Sequence, residues 1–436
     1  MINQSQPDTA QWNLIRKILF RFFFVYIFLQ ATPLGWFYSI PVMNVVTQYY
    51  YVAVYWLVDQ FNTHLFHFPA TNIVNNGSGD TSQSWEEFFT FLALAAFISL
   101  IWGLLDRKRK SYNQASYWLR TMLRYFVIIA CFTYGIDKLF VLQMPFPLQS
   151  QLATPLGDFL PMRFSWLFIG YSSPYEIFSG CMEILAGLLL LNRKTITLGL
   201  FIAMVVFANV MVLNLCYDIP VKIYSIHLFF YCVFLLENDA KRLFRFFILN
   251  QAVTANINNQ LSLPKKWMRI TRVVLKFVFI VCFVIVPFFT MKDYYQADKN
   301  KKETKPFHEG VYDVTVFAVN KDTIPALITD TLRWRDVIFE KAGLGSIGST
   351  DTTFRQRYRR GYFSFVADST KQTIHFKKFA KDSNFIYSFR YDLPDSNTIR
   401  LRGKQKTDSL YVILKRSKRH FQLAEKQFHW ISEANR

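Results

Sequence analysis

The sequence predicts an α-helical polytopic membrane domain followed by a small antiparallel β-barrel or sandwich, and three observations carry that expectation. The 436 residues are 52% hydrophobic and 18% aromatic, with 46 Phe, only 18% charged residues and a mean hydropathy of +0.15, whereas a soluble domain carries about a quarter charged residues. The cations are bunched: no Lys or Arg stands between Arg21 and Arg107, and then Arg107, Lys108, Arg109 and Lys110 arrive as a block. After Thr290 the long apolar runs stop and period-two alternation begins. The net charge of +20 does not point to nucleic acid, because the basic clusters are interleaved with stretches of pure hydrocarbon.

Seven segments are apolar over the ~20 helical residues needed to cross ~30 Å of hydrocarbon: residues near 22–40, 86–105, 120–142, 174–191, 196–216, 223–238 and 270–290. With the N-terminus in the cytoplasm, the clusters Arg16/Lys17/Arg21, Arg107 to Lys110, Arg193/Lys194 and Lys241 through Arg272 all fall on that side, as the positive-inside bias requires. Seven crossings then put the C-terminus on the outer face, which the family resemblance given below makes the periplasmic face of a bacterial inner membrane. Residues 41–58 are uncharged and crowd Tyr49, Tyr50, Tyr51, Tyr55 and Trp56 into their second half. Counting them as a span would export the Arg107 block, so they are expected to lie at the interface or to re-enter. The run Asn75-Asn76-Gly77-Ser78-Gly79-Asp80 reads as an outer turn. The first apolar run lacks a small-x-small cleavage site and reads as an anchor, not a signal peptide.

The outer loop between the third and fourth spans holds Pro155, Gly157, Pro161, Met162, Trp166 and Gly170, and a loop of that length is a lid, a partly inserted hairpin or a plain surface loop. Domain limits follow: 1–290 for the membrane part, 291–307 for a charged linker and 308–436 for the β domain. Alternation marks strands at 311–319, 334–339, 362–366, 373–379, 385–391, 398–401 and 410–414, with a last strand near Phe428. Their inward positions are Phe, Tyr, Val, Ile and Leu, which predicts a packed apolar interior. From residue 291 onward 28 Lys and Arg stand against 17 Asp and Glu, a solvated basic face or one that touches anionic headgroups.

Ionisable groups at membrane depth are costly and each asks for a partner. They are Asp137 and Lys138 in the third span, Glu176 and Glu183 in the fourth, Asp218 and Lys222 between the fifth and sixth, and His227 in the sixth. At 1.5 Å per residue, Lys138 and His227 lie about 6 Å inside the outer boundary and Glu183 about 13 Å. Two readings stand: the groups converge in one outward-opening cavity with Lys138 paired to Glu183, or Lys138 snorkels to the headgroups and the others are locally satisfied. Cys131, Cys181, Cys216, Cys232 and Cys282 stand singly, so no metal-ligand spacing arises. No nucleophile elbow, phosphate-binding loop, dinucleotide fingerprint or HExxH assigns a reaction, which leaves open whether the chain is an enzyme.

At these residues the sequence resembles the DoxX family of bacterial membrane proteins, in the longer form found in Bacteroidetes. The resemblance rests on Ser78-Gly79-Asp80-Thr81, Trp102 with Asp106-Arg107-Lys108-Arg109, Tyr134-Gly135-Ile136-Asp137-Lys138-Leu139, and Pro161-Met162 followed by Trp166. It continues through Tyr175-Glu176-Ile177-Phe178-Ser179-Gly180 to Glu183, Gly187-Leu188-Leu189-Leu190, Tyr217-Asp218-Ile219-Pro220-Val221-Lys222 and His227. It implies a four-helix core over about 117–240 and a lipocalin-like β tail ending near Phe428-His429-Trp430-Ile431. The family takes its name from a subunit of a thiosulfate:quinone oxidoreductase, which implies a quinone or lipid ligand and a redox accessory role. Other classes stand beside it: a scaffold that displays the β domain to a membrane or periplasmic protein partner, and a small-molecule carrier, disfavoured because no inverted repeat is visible.

Overall fold

The computed structural model describes residues 11–37, 43–68, 77–254, 265–320, 322–327, 333–405, 408–425, 428–431 and 433. In chain order the helices are α1 (Leu14–Gln30), α2 (Met43–Phe61), α3 (Ser82–Leu105), α4 (Asn113–Leu139), α5 (Gln149–Leu152), α6 (Pro161–Tyr171), α7 (Ser173–Leu191), α8 (Ile196–Cys216), α9 (Lys222–Leu236), α10 (Ala240–Phe247) and α11 (Lys266–Ile280). A π-helical turn, Val281–Ile285, carries α11 into α12 (Val286–Lys299). Two compact units result: Met1–Gln143 with Pro174–Met291, and Met144–Ser173 with Lys292–Arg436.

Among the described residues of the helical unit, five helices are long and apolar enough to cross a membrane: α3, α4, α7, α8 and the continuous α11–α12. The predicted span 223–238 is α9, an apolar helix of 15 residues, whereas the predicted span 22–40 is α-helical only as far as Gln30, the end of the 17-residue α1 that starts at Leu14 and carries Arg16, Lys17 and Arg21. The region expected at the interface, 41–58, is helical as α2 from Met43; residues 41 and 42, like Asn75 and Asn76 of the expected turn, lie outside the described residues. Hydrogen bonds bring the basic clusters to one end of this unit. Trp12 N–H donates to the Lys110 carbonyl (3.0 Å) and Arg21 to Tyr112 and to the Asp106 carbonyl. Arg120 pairs with Glu237, Arg193 donates to Tyr117, and Arg242 pairs with Asp239. At the start of α9, Asp80 accepts from the backbone N–H groups of Lys222 (2.7 Å) and Ile223 (3.1 Å), satisfying donors that a helix leaves free. The sequence rule and the hydrogen bonding thus sort the helix ends the same way.

The second unit is a closed antiparallel barrel. Its strands are β1 (Gly310–Val319), β2 (Asp322–Thr323), β3 (Asp336–Glu340), β4 (Leu344–Ile347), β5 (Arg355–Arg357), β6 (Arg360–Asp368), β7 (Thr373–Lys377), β8 (Tyr387–Asp395), β9 (Thr398–Gln405) and β10 (Asp408–Arg416). Eight of them pair in the order β1-β3-β4-β6-β7-β8-β9-β10, and β10 pairs back on β1, with β2 and β5 as short additions. Closure removes the edges that would otherwise invite aggregation. A bulge between Val314 and Val316 curves β1 where it meets β10. The expected strand near Phe428 is not one: residues 428–431 carry no strand, and Phe428, Trp430 and Ile431 are exposed. β10 already closes on β1, so no edge remains for another strand.

The interior is filled. Phe317, Phe339, Phe363, Phe376, Phe389 and Leu401 point inward from the strands, and Phe307, Trp334 and Phe354 enter from the connections. Segment 144–173 belongs to this unit because it covers the outer face of β3, β4 and β6. There Ala153 packs on Ile338 and Val311. The Ser150 N–H donates to Glu340 (3.0 Å), and the Ser346 hydroxyl bonds that of Ser150 (2.6 Å). Arg360, 2% exposed, reaches Ser346 (3.1 Å) and Asp336 (2.5 Å). The Tyr362 hydroxyl beside them is pushed up to about 12 by burial. The long loop forms a helical cover for one barrel wall.

Candidate functional site: a buried ion pair between two helices

Helices α4 and α7 can approach closely because glycine faces glycine. A Cβ on Gly180 would come within 2.7 Å of the Gly135 carbonyl oxygen, and one on Gly135 within 3.0 Å of the Gly180 carbonyl, the small-residue contact that lets membrane helices meet backbone to backbone. Three residues along each helix from this contact stand Lys138 and Glu183. The Lys138 Nζ lies 2.6 Å from Glu183 Oε1, with the residues 6% and 2% exposed. The pairing satisfies two charges that would each be costly alone in a medium of low polarity. The Tyr134 ring, one turn before Lys138, lies 5.7 Å from the ammonium. Glu183 Oε2 is buried with no hydrogen-bond partner among the described residues. Gly180→Ala is expected to cost about 1–3 kcal/mol by overpacking, because the atoms it meets, two of the α4 backbone and the Lys138 Cβ fixed to it, cannot turn aside. Thermal unfolding in detergent checks this, and an unchanged midpoint would contradict the close crossing.

The other expected site residues are distributed, not gathered in one cavity. Lys222 pairs with Asp218 (2.7 Å, with the Asp218 side chain 81% exposed) and lies 3.7 Å from Asp80, so this group secures the start of α9. His227 is held elsewhere: its Nδ1 bonds the Ile223 carbonyl (2.6 Å) and its Nε2 the Tyr26 hydroxyl (2.5 Å). With Nδ1–H donating to a carbonyl, Nε2 is left to accept from tyrosine, which fixes the neutral tautomer. Asp137 is half-buried one residue before Lys138, and Glu176 is fully buried on α7. Ring contacts run between the two centres. His227 lies 5.7 Å from Tyr231, Tyr231 5.7 Å from Phe126, Phe126 6.3 Å from Tyr224, and Tyr224 6.0 Å from Tyr134. Sequence reasoning missed Tyr26, Tyr224 and Tyr134 as parts of the site. Tyr134 was within reach of it, since it stands four residues from Lys138 on one helix face; Tyr26 is one aromatic among many in an apolar run and carries no such signal.

Among the described residues no group of three His, Cys, Asp or Glu is placed to hold a metal ion. The arrangement offers a strongly polar point inside an apolar bundle: one cation, its paired anion, an acceptor oxygen left over, and the half-buried carboxylate of Asp137 one residue from the lysine.

Apolar helices of spanning length, an ion pair between two of them and a separate closed barrel define a multi-pass membrane protein with a β-barrel domain. Over 119 residues, 27% of this chain and 75% of the relative, the sequence is 34% identical to "Uncharacterized protein YwoB" of Bacillus subtilis (strain 168). The chain belongs to the family of that protein. No family model and no solved structure matches it.

Proposed function

We propose that this is a DoxX-like protein of the bacterial inner membrane whose helical unit binds a quinone or a polar lipid at Lys138 and Glu183, serving as a redox accessory, while the lipocalin-like barrel stands in the periplasm. The observation that carries the reading is the buried Lys138–Glu183 pair with its spare carboxylate oxygen. A membrane protein that needed only anchorage would gain nothing from two charges at this depth, since apolar side chains of similar volume serve stability as well or better. Native mass spectrometry of the protein released from membranes tests it: a quinone or lipid retained by wild type and lost from Lys138→Ala supports the reading, and a ligand-free wild type counts against it. Orientation follows from the gathered basic ends. Reporter fusions at Lys110 and Arg436 are expected to be active in the cytoplasm and the periplasm, respectively, and a cytoplasm-active fusion at Arg436 overturns the assignment.

A second reading, a scaffold that displays the barrel to a protein partner, is favoured by one observation: the barrel interior is packed with aromatic side chains, which leaves its outer surface as the part available for recognition.

A further inference from the structure

At the basic end of the helical unit three helices bring cations together and supply no anion. Arg124 stands on α4, Lys276 on α11, and Arg193 two residues past the end of α7. A closed circuit of contacts joins them. Arg124 lies over the Tyr125 ring (5.3 Å), and that ring meets Phe279 of α11 (4.8 Å), one turn from Lys276. The Lys276 ammonium donates to the Leu191 carbonyl at the end of α7 (2.9 Å), and Arg193, two residues on, donates to the Tyr117 hydroxyl of α4 (3.1 Å). Tyr117 and Arg124 are two turns apart and share one face of α4, and Arg193 is a cation whose charge bears on Arg124.

The partners in this circuit are a carbonyl, a phenol and an aromatic face, none of which carries a charge. The Arg124 Nε is buried with no hydrogen-bond partner among the described residues, and Lys276 and Arg193 each have N–H donors beyond the one they use. Among the described residues none of the three cations pairs with a carboxylate; Glu237 and Asp239, which follow α9 at this end, are taken by Arg120 and Arg242. At 1.5 Å per residue, Arg124 and Lys276 lie about 6 and 9 Å inside the ends of the apolar runs 120–142 and 270–290, where a charge without a counter-ion is costly. A free anion would have to leave water to reach them. A phospholipid carries its phosphate to that level and keeps its chains in hydrocarbon, and the exposed Val273 and Phe277 flank Lys276 on α11 to receive them. Three cations favour a head with net negative charge, because a choline would bring a fourth positive charge among them.

We infer that Arg124, Arg193 and Lys276 form a binding site for the phosphate of an anionic phospholipid in the leaflet at the basic end of the bundle. The site stands about 21 Å along α4 from Lys138 and is independent of any ligand there.

The test is native mass spectrometry of the delipidated full chain in detergent, titrated with phosphatidylglycerol, phosphatidylcholine or inorganic phosphate. Phosphatidylglycerol is expected to be retained at concentrations where phosphatidylcholine is not. Arg124→Gln and Lys276→Gln are each expected to weaken its binding about fivefold, the effect of one cation at a lipid surface. Arg124→Lys, which keeps the charge, is expected to retain most of the affinity, and Lys108→Gln, in the exposed basic block, is expected to change nothing. Helix α11 buries none of its residues, so Lys276→Gln reads the site even where Arg124→Gln fails to fold. Equal binding of the two lipids overturns the proposal, and so does a preference that survives in both Gln variants. An equal loss in Lys108→Gln makes the preference a property of net charge and overturns the site. Displacement of phosphatidylglycerol by inorganic phosphate assigns the three cations to a free anion and overturns the lipid as occupant.

Discussion

Lys138→Met is expected to destabilise the helical unit by about 3–5 kcal/mol, and Glu183→Leu by a similar amount, because each leaves one buried charge without its counter-ion. The double variant Lys138→Met/Glu183→Leu is expected to regain most of the loss. Apolar side chains of similar volume replace buried ion pairs at little cost or with a gain, and the two positions face each other across a crossing held at glycine contact. Reversible unfolding in mixed micelles of the four proteins gives the coupling energy directly. Losses that simply add, with no recovery in the double variant, would mean that the two side chains are not partners. The same four proteins separate stability from ligand binding, since a double variant that is stable yet retains no ligand assigns the pair a role beyond packing.

What the sequence disclosed about this molecule follows from which signals are local. Hydrophobic length and the bunching of Lys and Arg are properties of single segments, so α3, α4, α7 and α8 fall close to where the apolar runs place them. Alternation located β1, β3, β6, β7, β8, β9 and β10 for the same reason. Strand β4, Leu-Gly-Ser-Ile, was not legible: it has four residues, a glycine and a serine, and its place is set by pairing with β3 and β6. The cover on the barrel wall was hidden for a related reason. β3 reads Asp-Val-Ile-Phe-Glu, yet Ile338 and Glu340 on its outer face are as buried as Val337 and Phe339 within, because a segment some 190 residues earlier lies over them. At the candidate site, depth arithmetic put Glu183 about 7 Å deeper than Lys138 and left their pairing as one of two readings; the glycine contact between α4 and α7 is what brings the two together. Depth alone could not separate Lys222 and His227 from them: similar depth does not fix azimuth around the bundle, and azimuth is set by the packing of α9 on α4 and α8.

Trp334→Ala is expected to cost the barrel about 3–5 kcal/mol, the range for truncating a large buried aromatic side chain. Trp334 lies in the connection before β3, not on a strand, and is 1% exposed. Its ring meets Phe317 (5.6 Å), Phe354 (5.9 Å), Tyr387 (5.6 Å) and Phe389 (6.0 Å), which come from two strands and a second connection. No single neighbour can move in to fill the space, because each is fixed by its own strand register or by further ring contacts such as Phe354 with Tyr387 (5.2 Å). For a unit of this size the loss corresponds to a fall of roughly 6–20 °C in the barrel's melting midpoint. Val366→Ala on the exposed outer face of β6 is expected to leave the midpoint within about 0.5 kcal/mol of wild type. The comparison discriminates between the two ways an eight-stranded barrel can be filled, by packed side chains or by a small apolar ligand. In a packed interior the tryptophan is part of the core and its loss is severe without any ligand present. If scanning calorimetry of the full chain finds Trp334→Ala within about 1 kcal/mol of wild type, the interior is not held by its own side chains, and the barrel must be stabilised by something it binds.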